Sequence, residues 1–135
     1  MAGYSGTPLA KKLGIKPGSK LLPMNAPVGY ASWLAPLPEG VEFQAKANST
    51  GVDIVHLFVN SLAELADGLP RARKAMTRDG ALWVSWYKRS AKVSADVTED
   101  AIRALALKTD LVDVKVCAVS DEWSGLKLVI RKHLR

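Results

Sequence analysis

Cysteine is all but absent: Cys117 is the only one in 135 residues. It cannot close an internal disulfide, and its place in an alternating apolar segment reads as a buried, inert thiol in a reducing compartment. Histidine is nearly as scarce. His56 and His133 have no cysteine, carboxylate or second histidine at metal-ligand spacing, so no metal site is expected. No stretch approaches the ~18 apolar residues of a membrane helix, and the opening MAGYSGTPLAKKLG has no apolar core for secretion. These absences place the chain in the cytoplasm, away from membranes. There is no internal repeat, and no serine carries a G-x-S-x-G nucleophile motif.

What remains is an ordinary globular composition. Hydrophobic residues make up 48% and charged residues 24% of the chain, enough for one hydrophobic core in a single domain spanning 1–135. Residues 1–6 read as a loosely ordered arm. The formal net charge is +6, which invites an anionic partner. The basic residues are spread along the whole chain, however, as on a solvated face.

Several elements follow from pattern. Thr7-Pro8 predicts a helix start with a capping hydroxyl, and Gly14 its end. A first strand is expected over 19–24, then a short helix over Tyr30–Leu34 that Pro36 and Pro38 cut off. Residues 41–45 alternate as a second strand. VDIVHLFV, 52–59, is hydrophobic almost without interruption, as a strand covered on both faces should be. Ser61-x-x-Glu64 is a capping-box signature, and Leu62, Leu65, Ala66, Leu69, Ala72 and Met76 keep helical spacing behind it. Pro70 is expected to kink or divide that helix. Asp79-Gly80 reads as a turn before the buried strand ALWVSW, 81–86. Thr98 predicts the next cap, with Val97 and Ile102 as a hydrophobic staple and Lys108 in the last turn. The segments 112–119 and 126–131 then close the chain as an antiparallel hairpin.

Strands alternating with helices imply right-handed crossovers and a mostly parallel sheet. The expected fold is α/β, a three-layer Rossmann-like domain whose six-stranded sheet ends in a C-terminal antiparallel hairpin strand. The order of LAKKLGIKPGSKLL, VDIVHLFV, MTRDGALWVSW and the hairpin VDVKVCAVSDEWSGLKLVI resembles class I S-adenosylmethionine-dependent methyltransferases from end to end. The opening MAGYSGTPLAKKLGIKPG, with LWVSWYK and LVDVKVCAVSDEWSGLKLV, further resembles a family of short bacterial proteins known only as a domain of unknown function. That second likeness implies no activity.

The first resemblance implies a G-x-G turn after strand one and an acid at the end of strand two, for the cofactor. Here Met24-Asn25-Ala26-Pro27-Val28 stands at the turn, with Pro27 and Val28 read as stiffening and filling it. The second strand ends in Ala45-Lys46-Ala47-Asn48, and its one acid, Glu42, lies near its start. No cofactor is therefore expected.

Ligands of open α/β sheets collect beyond the carboxyl ends of the strands. The candidate ligand-binding residues there are Asn25, Tyr30, Asn60, Ser61, Trp86, Lys88 and Arg89. In the WYKR stretch two aromatic faces and two cations offer a base stack and a phosphate contact, with N–H groups of the Ser61 helix start beside them. The bland alternative has Trp86 cap the strand core and the cations solvated. His56, inside VDIVHLFV, reads as a core histidine with a hydrogen-bonded ring rather than a catalytic base. Asp53 reads as a strand-start residue. Trp123 is either an exposed aromatic for a partner or a cover for the sheet edge.

The leading reading is a non-catalytic methyltransferase-like domain that binds a small ligand or a protein partner, as monomer or homodimer. One alternative is an enzyme that uses adenosylmethionine or a nucleotide in an altered pose. Another is nucleic-acid binding through the basic surface, for which no recognition motif is present.

Overall fold

A computed structural model describes residues 7–46, 51–88 and 96–135. The elements in chain order are α1 (Leu9–Lys12), β1 (Lys20–Met24), α2 (Tyr30–Leu34), β2 (Glu42–Phe43), β3 (Val52–Phe58), α3 (Leu62–Ala75), β4 (Met76–Tyr87), α4 (Glu99–Ala106), β5 (Leu111–Ala118) and β6 (Trp123–Ile130). A short 3-10 turn, Lys132–Leu134, follows. The six strands form one sheet in the order β2-β1-β3-β4-β6-β5. Strands β1 to β4 run parallel, and β6 slots between β4 and β5 antiparallel to both. This is the expected architecture. The proposed arm, 1–6, lies outside the described residues.

Alternation along the strands splits the core into two layers. On one face Leu13, Leu21, Tyr30, Ile54, Phe58, Trp83 and Trp123 pack beneath α1 and α2. On the other, Leu57, Leu65, Leu82, Ile102, Leu126 and Leu128 pack beneath α3 and α4. One crossover is short: only residues 44–51 lead from β2 past β1 to β3, where a parallel connection ordinarily takes a dozen or more, with a helix. On that side Leu22 and Met24 of β1 line an open cleft.

Local chemistry explains most boundaries. The Ser61 hydroxyl accepts from the Glu64 N–H at 3.0 Å, and Thr98 does the same for the Ala101 N–H at 3.1 Å. Val97 and Ile102 are both buried, as a staple requires. Gly14, with φ 81°, ends α1 in the left-handed conformation that glycine adopts without penalty.

Five expectations need correction. Thr7 does not cap α1, whose N-cap is Pro8 with no side-chain bond. Strand β2 keeps only two of the five predicted residues, its neighbours on one side being open. Pro70 does not divide or end α3: the helix runs on through it to Ala75. The bond that Pro70 forgoes belongs to the carbonyl of Ala66, and both residues are exposed, which leaves that carbonyl open to solvent. Asp79-Gly80 is not a closing turn but part of β4, which begins at Met76. There the register jumps, Val52 pairing with Met76 and Ile54 with Ala81. Finally, Lys108 lies beyond the end of α4, whose last turn carries Arg103.

Candidate functional site

The carboxyl ends of β1, β3 and β4 lie side by side, and the first turns of α2 and α3 rise from the same end. Between β1 and α2 the backbone makes two left-handed residues, Asn25 at φ 59° and Gly29 at φ 89°. Val28 does not fill this turn as the sequence suggested, because its side chain is fully exposed. Tyr30 is what fills it.

Tyr30 is buried at the start of α2, and its ring meets His56, Phe58 and Trp33 edge-on at 5.2, 5.4 and 6.0 Å. Its hydroxyl lies 2.8 Å from His56 Nδ1, while Nε2 of the same ring lies 2.7 Å from Ser85 Oγ. A chain of three polar groups thus crosses from the turn through β3 to β4. His56 is fully buried and stacks on Phe58 at 4.3 Å. Burial alone drives its pKa down to about 3, because nothing beside it compensates a charge. The Tyr30 hydroxyl is raised for the same reason. Both groups are therefore neutral at pH 7. His56 is the hydrogen-bonded core histidine that its sequence context indicated.

The start of α3 is also occupied. Glu64 accepts from the Asn60 N–H at 2.6 Å, Asp96 from the Leu62 N–H at 2.9 Å, and Ser61 from Glu64 itself. The N–H groups of Asn60, Leu62 and Glu64 are therefore not free for the anion that the sequence reading placed here. Three donors of this helix start already hold acceptors from the chain, two of them carboxylates that complement the helix dipole.

The WYKR stretch does not form a stacking platform either. Trp86 and Tyr87 are consecutive strand residues and point to opposite faces. Trp86 is buried in the layer beneath α3 and α4. Tyr87 stacks on Trp123 at 4.0 Å in the other layer. No base can lie on both. The Lys88 N–H donates to the Glu122 carbonyl at 2.9 Å, tying β4 to the β5–β6 turn. Arg89 lies outside the described residues. Trp123 is buried in β6, edge-on to Phe58 at 5.0 Å, so it covers the sheet rather than waiting for a partner.

Among the described residues, two clefts at this end bear on the candidate site. The first, about 390 Å³, has Leu22, Pro23, Met24, Asn25 and Ala45 as its wall, with Lys46 and Arg71 among its cations. The second, about 320 Å³, lies among Trp86, Tyr87, Val97, Thr98, Glu99 and Asp100. Asn25 belongs to the first and Trp86 to the second, so the seven candidate residues do not converge on one pocket. Sequence reasoning missed Lys46 and Arg71 as a pair. Arg71, an ion-pair partner of Asp67 at 2.9 Å, looked like any solvated helix cation. Among the described residues no three of His, Cys, Asp and Glu come together to hold a metal, and no helix is long and apolar enough to cross a membrane.

No family model and no curated protein matches the sequence. Solved structures do resemble the fold. A structure from Sulfolobus solfataricus assigned to the type 11 methyltransferases superposes with a TM-score of 0.62 at 12% identity, covering 92% of this chain and 90% of its own. The fibrillarin pre-rRNA processing protein of Methanococcus jannaschii gives 0.59 at 13% identity, over 95% and 70%. DhpI, solved as a complex with SAH, gives 0.59 at 10% identity, over 91% and 82%. The architecture is that of the methyltransferase-like Rossmann folds.

Proposed function

We propose that this chain is a cytoplasmic, bacterial, non-catalytic methyltransferase-like domain that binds a small ligand in the cleft beside Asn25. One observation carries the reading: the cleft at the ends of β1 and β2 persists, but Lys46 and Arg71 stand where an acid would meet ribose hydroxyls. A cationic rim over an apolar wall suits a small molecule with an apolar body and an acidic group. The absence of catalysis rests on the neighbouring chemistry. His56 is sealed under Tyr30, and three donors at the start of α3 are satisfied from within.

Two measurements test this. Tritiated adenosylmethionine, incubated with the protein and a cell extract, is expected to label nothing beyond a heat-denatured control. Transfer that scales with the protein overturns the non-catalytic reading and favours the enzyme alternative. A thermal-shift panel of small carboxylic acids, with adenosylhomocysteine alongside, is expected to yield acids that raise Tm in the wild type and not in Ala45→Trp, which fills the cleft. Stabilisation by adenosylhomocysteine alone, lost in Lys46→Glu, refutes the assignment of ligand class.

A further inference from the structure

A further cleft, about 440 Å³, lies at the other end of the sheet, between the α1–β1 turn and the last strand. Leu13, Lys16, Asp53, Thr77, Asp79 and Lys127 are among its walls. Lys127 pairs in register with Trp83 on one side and with Lys115 on the other. These three side chains therefore stand in one row on one face of the sheet, and the Lys115 ammonium lies 5.9 Å from the Trp83 ring centroid. Trp83 itself is pinned, its indole N–H donating to the Leu13 carbonyl at 3.1 Å.

Two lysines directly opposite each other across antiparallel strands repel. Here no ion pair among the described residues relieves the repulsion. All 13 carboxylates of the chain lie among the described residues, and none of the five ion pairs there involves Lys16, Lys115 or Lys127. Asp53 on the cleft wall accepts from the Lys20 N–H at 2.8 Å. Burial, then Lys115 and Lys16, hold the Lys127 ammonium below the usual lysine range. Such an arrangement costs stability unless an anion from outside completes it.

We propose that this cleft is a second ligand site, which takes the phosphate of a small polyol phosphate on Lys16 and Lys127 of its wall, with Lys115, opposite Lys127 in the sheet, adding its charge from beside the cleft. Thr77 and Asp79, on the same wall, accept the hydroxyls of the ligand. The volume suits a sugar phosphate rather than a length of nucleic acid.

The test uses ribose 5-phosphate, with ribose as its uncharged partner, in calorimetric titrations at constant ionic strength. Ribose 5-phosphate is expected to bind saturably at one site per chain, and ribose not to bind. The double variant Lys115→Met, Lys127→Met should bind at least about tenfold more weakly, while its Tm without ligand rises by roughly 1–3 °C as the repulsion goes. Lys74→Met, on α3, should bind as the wild type does. Should the double variant fail to fold, Lys16→Gln on the cleft wall carries the same comparison. Equal affinity in the lysine variants overturns the proposal, as does stabilisation that tracks ionic strength alone. Binding of a single-stranded RNA oligonucleotide without binding of ribose 5-phosphate also overturns it, giving these lysines to a nucleic-acid backbone.

Discussion

Lowering the pH from about 8 to about 5 should cost the fold about 2 kcal/mol through His56 alone. In the unfolded chain this histidine takes a proton near its ordinary pKa of 6.5, whereas in the folded chain burial holds it at about 3. Through that window the unfolded state therefore binds more protons, and stability falls as pH falls. The contribution of the neutral ring is present in full above pH 6.5 and is lost progressively toward pH 3. Each pH unit well inside the window is worth about 1.4 kcal/mol, and the onset near 6.5 reduces the total at pH 5 to about 2. Urea denaturation at a series of pH values measures this directly. His56→Gln, which keeps a hydrogen-bonding side chain between Tyr30 and Ser85 but cannot titrate, should be less stable at pH 8 and lose most of the slope. Wild-type stability that is flat from pH 8 to 5, or an unchanged slope in the variant, refutes the reasoning. If His56→Gln does not fold, the imidazole resonances of the wild type decide it. The His56 signal must stay that of a neutral ring down to about pH 4.5, since nine-tenths or more of a group with a pKa near 3 is unprotonated there.

Gly80→Ala should destabilise by roughly 1–3 kcal/mol, read as a lower Tm, because a Cβ there would stand 2.8 Å from the Asp53 carbonyl in the backbone of β3. Thr98→Ala removes the acceptor for the Ala101 N–H and should cost about 1 kcal/mol in chemical denaturation, with Thr98→Asp restoring most of it. Ile102→Ala, at a fully buried position on the inner face of α4, should cost roughly 2–5 kcal/mol. Below pH 4 a second acid loss is expected. The Arg73 guanidinium holds Asp110, and Arg103 holds Asp113, below the ordinary carboxylate range, so stability present above that range falls away as these groups protonate. Asp110→Asn should flatten the acid limb of a stability profile, and an unchanged limb would deny the pair its role.

Strand and helix identities were legible where burial is one-sided or complete. VDIVHLFV announces a central strand because both its faces are covered, and Ser61 and Thr98 announce helix starts because their hydroxyls have one local use. Legibility failed where the deciding partner is distant. The sequence around Pro70 cannot tell that Ala66 faces water, nor can Val28 show that it points outward while Tyr30 turns in beneath it. Trp86-Tyr87 read as a joint platform only so long as the strand was not known to continue through both. The capping box at Ser61 was visible, but Asp96, which closes the same helix start, sits 34 residues further on. The row Trp83, Lys127, Lys115 is invisible without the β4–β6–β5 register.

The short passage from β2 to β3 also bears on how the sheet breathes. From Ile54 in β3 and Gly80 in β4 onward these strands are buried on both faces, so their amide protons there should exchange with solvent only when the whole domain opens. Strand β1 carries a helix layer on one face, and beyond it lies a β2 of just two residues. Its outer amides should exchange by a smaller, separate opening. A ligand that settles beside Asn25 would then announce itself less by a change of shape than by slowing exchange along β1 and β2, at the edge where the sheet is least protected.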